Sequence, residues 1–173
     1  IVTDGYFEAM GERVVRGRTI TSADTSSSQL IALVNEELVR AYFAGRDPIG
    51  GRLKIGGDPK RPWVTIVGVV ADVRHNGITE VVKEKFYVPH RQWHMSVGNP
   101  IRSMALVVKT DIDPLALVTP IRQEIRSLGP NLPVANVQAM RDVVGATLSS
   151  PRFTGFLLVT FAERTRVAAG ILP

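Results

Sequence analysis

At 173 residues the chain is long enough to bury a core, as one domain or as two small lobes. An apolar fraction of 45% with 21% charged residues excludes an intrinsically disordered chain, and 6% aromatic residues leave little for a stacking platform on single-stranded nucleic acid. The net charge of +5 is scattered through Arg13, Arg16, Arg18, Arg52, Lys54, Lys60, Arg61, Lys83, Lys85, Arg122 and Arg126, as on a solvated basic surface, and the lack of cysteine excludes disulfides and thiolate chemistry.

In chain order, Asp4 to Met10 has short helical character with Gly11 as its stop, and Arg13 to Ile20 follows as a strand or strand-like loop. Thr21 to Gln29, with three serines in a row, is a polar, turn-rich connection and a candidate lobe boundary. Leu30 to Val34 is a continuous apolar run, the pattern of a buried strand, and Asn35 is placed to N-cap a helix through Phe43 that Gly45 and Asp47-Pro48 end. Arg52 to Ile55 and Val64 to Val73 read as strands around the hairpin-like Gly56-Gly57-Asp58-Pro59. Phe86 to Val88 is a further short strand, and His90 to His94 reads as loop. Met104 to Lys109 is a strand, Asp113-Pro114 supplies a cap and a first-turn proline, and Val118, Ile121, Ile125 and Leu128 recur at helical spacing. Gly129-Pro130 stops that helix, Pro133 to Val137 makes a short strand, and Met140 to Leu148 begins a second helix, so Met104 to Val137 forms a β-α-β unit. The most apolar stretch, Phe153 to Ala162, is half the length of a membrane span and is interrupted by Glu163, Arg164 and Arg166.

The residue types that carry chemistry do not assemble into a pattern. His90 and His94 have the spacing of two metal ligands on a helix, yet no third ligand follows, and surface histidines are the better reading. His75, after Asp72 and Arg74 at the end of an apolar strand, reads as a turn residue; the hydrolase or transferase alternative rests on that adjacency alone. Gly50, Gly51, Gly56 and Gly57 lack the Gly-Lys-Ser/Thr ending of a phosphate cradle and read as turn punctuation. Asp24, Glu36, Glu37 and Asp72 read as surface or capping carboxylates, and Tyr6, Phe7 and Met10 as buried staples of the first helix in preference to an exposed contact patch. No catalytic, metal or cofactor-binding residue is assigned, no cofactor is expected, and the binding residues stay open.

Three ordered phrases carry a resemblance. The first is Asp4-Gly-Tyr-Phe-Glu-Ala-Met-Gly11 with Arg16-Gly17-Arg18 and Asp24. The second is Ile31-Ala-Leu-Val-Asn-Glu36 with Tyr42-Phe43 and Asp47-Pro-Ile-Gly50, and the third is Trp63-Val-Thr-Ile-Val-Gly-Val-Val-Ala-Asp-Val-Arg74. Together with Tyr87-x-Pro89-x-x-Gln92 and Ser150-Pro-Arg-Phe153, the set resembles the MacB-like periplasmic core domain of ABC transporter permeases, in the FtsX-like permease superfamily.

The resemblance implies an α+β fold in which a porter-like lobe with β-α-β elements, residues 1–25 and 101–152, carries an inserted β-rich, sabre-like lobe, residues 26–100. Residues 153–173 then fall at the start of a possible transmembrane helix, and the front of the porter-like lobe is expected to be missing. The implied role is that of a non-catalytic extracytoplasmic domain at the periplasmic face of the bacterial inner membrane, transmitting ATP-driven motion. Its implied partners are a cytoplasmic ATP-binding subunit or domain, and a periplasmic adaptor protein or a second permease copy; nucleic acid is not expected. The alternative from composition is a soluble basic binding module for an anionic ligand or nucleic acid, built on Arg13, Arg16 and Arg18.

Overall fold

The computed structural model describes residues 1–73 and 81–145. Arg74, His75 and the apolar run 153–162, with the membrane-edge reading attached to it, lie outside the described residues. The chain divides into two compact units, 1–75 with 80–109 and 76–79 with 110–173. The fold is α+β.

The first unit is organised by β2, Ile31–Asn35, in which all five residues are buried. A strand buried on both faces needs neighbours along both edges, and β2 has them. The longer β4, Val64–Val70, runs parallel to it on one side and β5, Phe86–Tyr87, antiparallel on the other. The free edge of β4 is shared end to end by two strands: β3, Arg52–Leu53, at its start and β1, Val14–Gly17, at its end. The resulting order is β1-β4-β2-β5 with β3 beside β4. β1 crosses very close to β4, and the register pairs Gly17 with Gly68. A Cβ on Gly68 would stand 2.3 Å from the Arg18 carbonyl oxygen, so glycine is required there by the approach of the two backbones.

Parallel pairing of β2 with β4 requires a crossover, and α2, Glu36–Phe43, is its helix. Asn35 caps α2 as its position predicts, its side chain accepting from Leu38 N, and Ala44 and Gly45 then turn left-handed to end it. A β-α-β element is therefore present, and it is β2-α2-β4. The strands expected at Met104–Lys109 and Pro133–Val137 do not form among the described residues. Met104, Leu106 and Val108 keep strand-like alternation but are exposed, and among the described residues no neighbouring strand offers them a ladder.

The His90–His94 segment, expected as loop, is helix α3, His90–Val97, entered at Pro89 and closed by left-handed Gly98. Its buried stripe explains the difference. Gln92 and Ser96 face inward while Trp93 and Val97 pack against the buried cluster of Ala32, Ile55, Val64 and Val88, so polar side chains occupy positions that a hydrophobic pattern would have filled. Gln92 is wholly enclosed and uses its whole amide. Its Oε1 accepts from Ile31 N at 2.9 Å, and its Nε2 donates to Thr25 O, Ser28 Oγ and Gln29 O at 2.9–3.0 Å.

In the second unit a 3-10 turn, Pro114–Leu117, leads into α4, Val118–Leu128. Asp113 accepts from Leu115 N as the predicted cap, and Pro120 falls in the first turn of α4, where its missing N–H costs no intrahelical bond. Gly129 and Pro130 follow the helix, and residues 140–145 are again helical.

The neutral amide at position 92 predicts an outcome. Gln92→Glu replaces an amide donor by an oxygen facing two carbonyls, and urea unfolding should show a loss of about 2–4 kcal/mol at neutral pH. An unchanged midpoint would contradict the described bonding.

Candidate functional site

Three polar or aromatic assemblies converge on the sheet. The first lies where β2 and β4 end and α2 begins, a position that often carries ligands in parallel sheets. Asp72 Oδ1 accepts from Asn35 Nδ2 at 2.7 Å and from Glu37 N at 3.0 Å, while its other oxygen is paired with Arg40, which also holds Glu37. Asn35 Oδ1 accepts from Leu38 N and Lys85 N, and its Nδ2 also donates to Lys83 O. Every polar atom of Asn35 is thereby used. This is an anchor for the start of α2, and Asp72 acts in it as a helix-start carboxylate.

The second assembly is the seam made by the first residues. Val2 is buried and forms a parallel bridge beside β5: its N–H donates to Val88 O at 3.1 Å and its carbonyl accepts from His90 N at 2.8 Å. Four residues on, α1, Tyr6–Met10, presses Phe7 into the core. Phe7 meets Tyr87 edge to face at 5.2 Å and Tyr6 at 5.3 Å, so aromatic packing supports what the backbone bonds hold. Of the three residues read as staples, Phe7 is fully enclosed and Tyr6 and Met10 half so. The Tyr6 hydroxyl lies 3.4 Å from Glu12 Oε1, and burial, reinforced by the Glu12 carboxylate, pushes the phenol up to about 12.

The third assembly engages two of the three arginines Arg13, Arg16 and Arg18. Arg18 forks onto Asp24 through two 2.8 Å bonds, and Asp24, almost fully buried, also accepts from Thr21 N and Oγ1. Arg16 lies 3.7 Å from Asp47. The Arg18 hydrogen bonds hold the Asp24 carboxyl below the usual carboxylate range in spite of its burial. Of the arginines on which the alternative anion-binding reading was built, Arg16 and Arg18 are thus paired with the chain's own carboxylates.

His90 and His94 stand on α3, and no group of three or more metal-ligating side chains occurs among the described residues. Gly50 and Gly56 are left-handed turn glycines, with no helix opening behind them. Sequence reasoning missed Val2, Glu12 and Gln92. Only the order Tyr87-x-Pro89-x-x-Gln92 pointed towards the last of these.

The sequence profile of the MacB-like periplasmic core domain matches residues 1–128. An ABC transporter permease of Bacillus subtilis (strain 168), YknZ, is 26% identical over 97 residues, covering 56% of this chain and 23% of that protein. The macrolide export ATP-binding/permease protein MacB of Aggregatibacter actinomycetemcomitans is 29% identical over 76 residues, covering 44% of this chain and 11% of its own length. The chain thus spans under a quarter of either relative. Among solved structures, the periplasmic region of MacB from Actinobacillus actinomycetemcomitans superposes with a TM-score of 0.55 at 20% identity, over 73% of this chain and 54% of that one. No helix among the described residues is long and apolar enough to cross a membrane.

Two pH limbs follow from the titrating groups. Asp24 binds its proton less tightly folded than unfolded, so its contribution is complete above about pH 5 and is lost as pH falls below about 4. The stability gap between wild type and Asp24→Asn in denaturant titrations should therefore close in that range. Tyr6 binds its proton more tightly folded, so its contribution is complete below about pH 10 and is lost as pH rises towards 12. Tyr6→Phe should soften the alkaline limb of the same measurement.

Proposed function

The chain belongs to the MacB-like periplasmic core domain family, and from that premise we propose that it is a non-catalytic extracytoplasmic domain of an ABC-type transporter permease that passes ATP-driven motion to periplasmic substrate or partner handling. ATP is hydrolysed by a separate cytoplasmic subunit or domain and moves membrane helices; this domain carries the movement outward, to a periplasmic adaptor protein or to a second permease copy. In the same reading residues 26–100 are the sabre-like lobe, and residues 1–25 with 101–152 belong to the porter-like lobe.

The observation that carries this reading is the seam at Val2. A displacement can be transmitted only if the chain delivering it is joined to the body by bonds stiffer than a linker. Val2 is hydrogen-bonded on both sides to the strand and helix at residues 88–90 and lies on the Phe7–Tyr87 packing, so movement of this segment would be passed to the sheet directly. β1 adds a second tie, from residues 14–17 to β4. The satisfied polar groups of Asn35, Asp72 and Arg40 agree with a mechanical part better than with a reactive one.

A spin label on exposed Lys60 of the full-length permease, paired with one on its membrane-spanning part, tests the reading. The distance should change when ATP is bound and trapped. Val2→Pro combined with Phe7→Ala should abolish that change while ATP hydrolysis persists. An unchanged distance in the wild-type permease, or an undiminished change in the double variant, would refute it.

A further inference from the structure

The hairpin joining β3 to β4 carries an unpaired positive surface. Arg52, Lys54, Lys60 and Arg61 lie within ten residues, and none of them forms an ion pair among the described residues, in contrast to Arg16, Arg18 and Arg40. Asp58 is the only carboxylate in the loop, and its side chain is occupied in turning the backbone, accepting from Lys60 N at 2.8 Å. At the base of the loop stands Trp63, 53% exposed, with the Lys54 ammonium 4.8 Å and the Arg52 guanidinium 5.7 Å from its ring centroid.

The loop is built rather than loose. Arg61 Nη1 donates to Ile55 O at 2.9 Å, folding the guanidinium back over Gly56, and Lys54 Nζ donates to Pro59 O. Arg61 N closes the turn onto Asp58 O at 3.2 Å. Two of the cations, Lys54 and Arg61, are therefore held in place before any partner arrives, which lowers the ordering cost of docking. Tryptophan and arginine in a fixed setting are the residue types that dominate protein interfaces.

We infer that residues 52–63 form a docking face for an acidic protein surface, with Trp63 as its anchor and the surrounding cations selecting the partner by charge. Charge complementarity commits the face to an anionic occupant, and its side chains favour a protein over a lipid surface. Membrane adhesion draws on several apolar side chains sinking together, whereas here a single large apolar side chain is exposed and two of its cations are tied to loop carbonyls. The inference deepens the coupling role by giving it a point of delivery, and it rests on that reading only for the partner's extracytoplasmic location.

Photo-crosslinking from Gly57 of the full-length permease in its host cell tests it. A side chain added there meets nothing within 4 Å, so the probe leaves the loop intact. The adduct should contain a protein that, once purified, binds the wild-type permease in calorimetry, about tenfold more weakly to Trp63→Ala, and several-fold more weakly as salt rises from about 50 to 300 mM. Lys60→Gln, an exposed substitution that leaves folding untouched, should weaken binding by a smaller factor, and Trp63→Phe should retain most of it. No protein adduct, an adduct with phospholipid alone, salt-independent binding, or equal binding by Trp63→Ala and Lys60→Gln would each overturn the inference. Because binding is read directly, normal binding by Trp63→Ala alongside an ATP-dependent distance change removes the docking face and leaves the coupling role standing.

Discussion

The first unit depends on one constraint: a strand buried on every side must find partners for all the polar groups it brings inside. β2 meets this with two amide side chains at its ends. Gln92 reaches from α3 to the amide of Ile31, where the strand begins, and spends its own donors on the turn 25–29. Asn35 closes the other end, capping α2 and joining Asp72 and the backbone at residues 83–85. An unpaired amide in either place would carry the full desolvation cost of its group, so the two residues fix α3, α2 and the 83–85 segment relative to the sheet. Position follows from hydrogen-bond satisfaction here more than from apolar matching.

That economy explains what could be read from the sequence and what could not. The run Leu30–Val34 announced a buried strand because full burial leaves no polar residues in it, and Asn35 announced the helix because a cap is a local event between a side chain and the next turn. The α4 helix was legible for the same reason, through Asp113, Pro114 and a stripe repeating every three or four residues. α3 was not, since its inward face is Gln92 and Ser96 and its status is decided by Ile31, sixty-one residues away. Met104–Lys109 failed in the opposite sense. Its alternation is that of a strand, but alternation specifies only that a residue is fit for a ladder, and the ladder needs a neighbour.

The candidate sites followed the same division. The ordered phrases that identified the family sit where backbone geometry is tight, as at Gly17 and Gly68, or where a side chain is wholly committed, as at Asp24 and Asn35. Those are fold-determining residues, which is why they disclosed the fold and its family while leaving the binding surface open. The seam at Val2 is a pair of backbone bonds and leaves no residue signature. Trp63 and its cations are spread over Arg52 to Trp63, and only the hairpin brings Arg52 and Lys54 back across the indole ring.

The arrangement of strands joins these two features. From Val2 the connection runs to residues 88–90 beside β5, from β5 to β2, from β2 to β4, and from β4 to β3, which carries the loop. The first step is a single bridge made by Val2, the later ones are backbone ladders, and the central strand is enclosed over its whole length. The strands that enclose β2 therefore also connect the seam with the hairpin through backbone bonds. The interactions of Asn35, Asp72 and Arg40 work within the unit in the same way, tying the start of α2 to the end of β4.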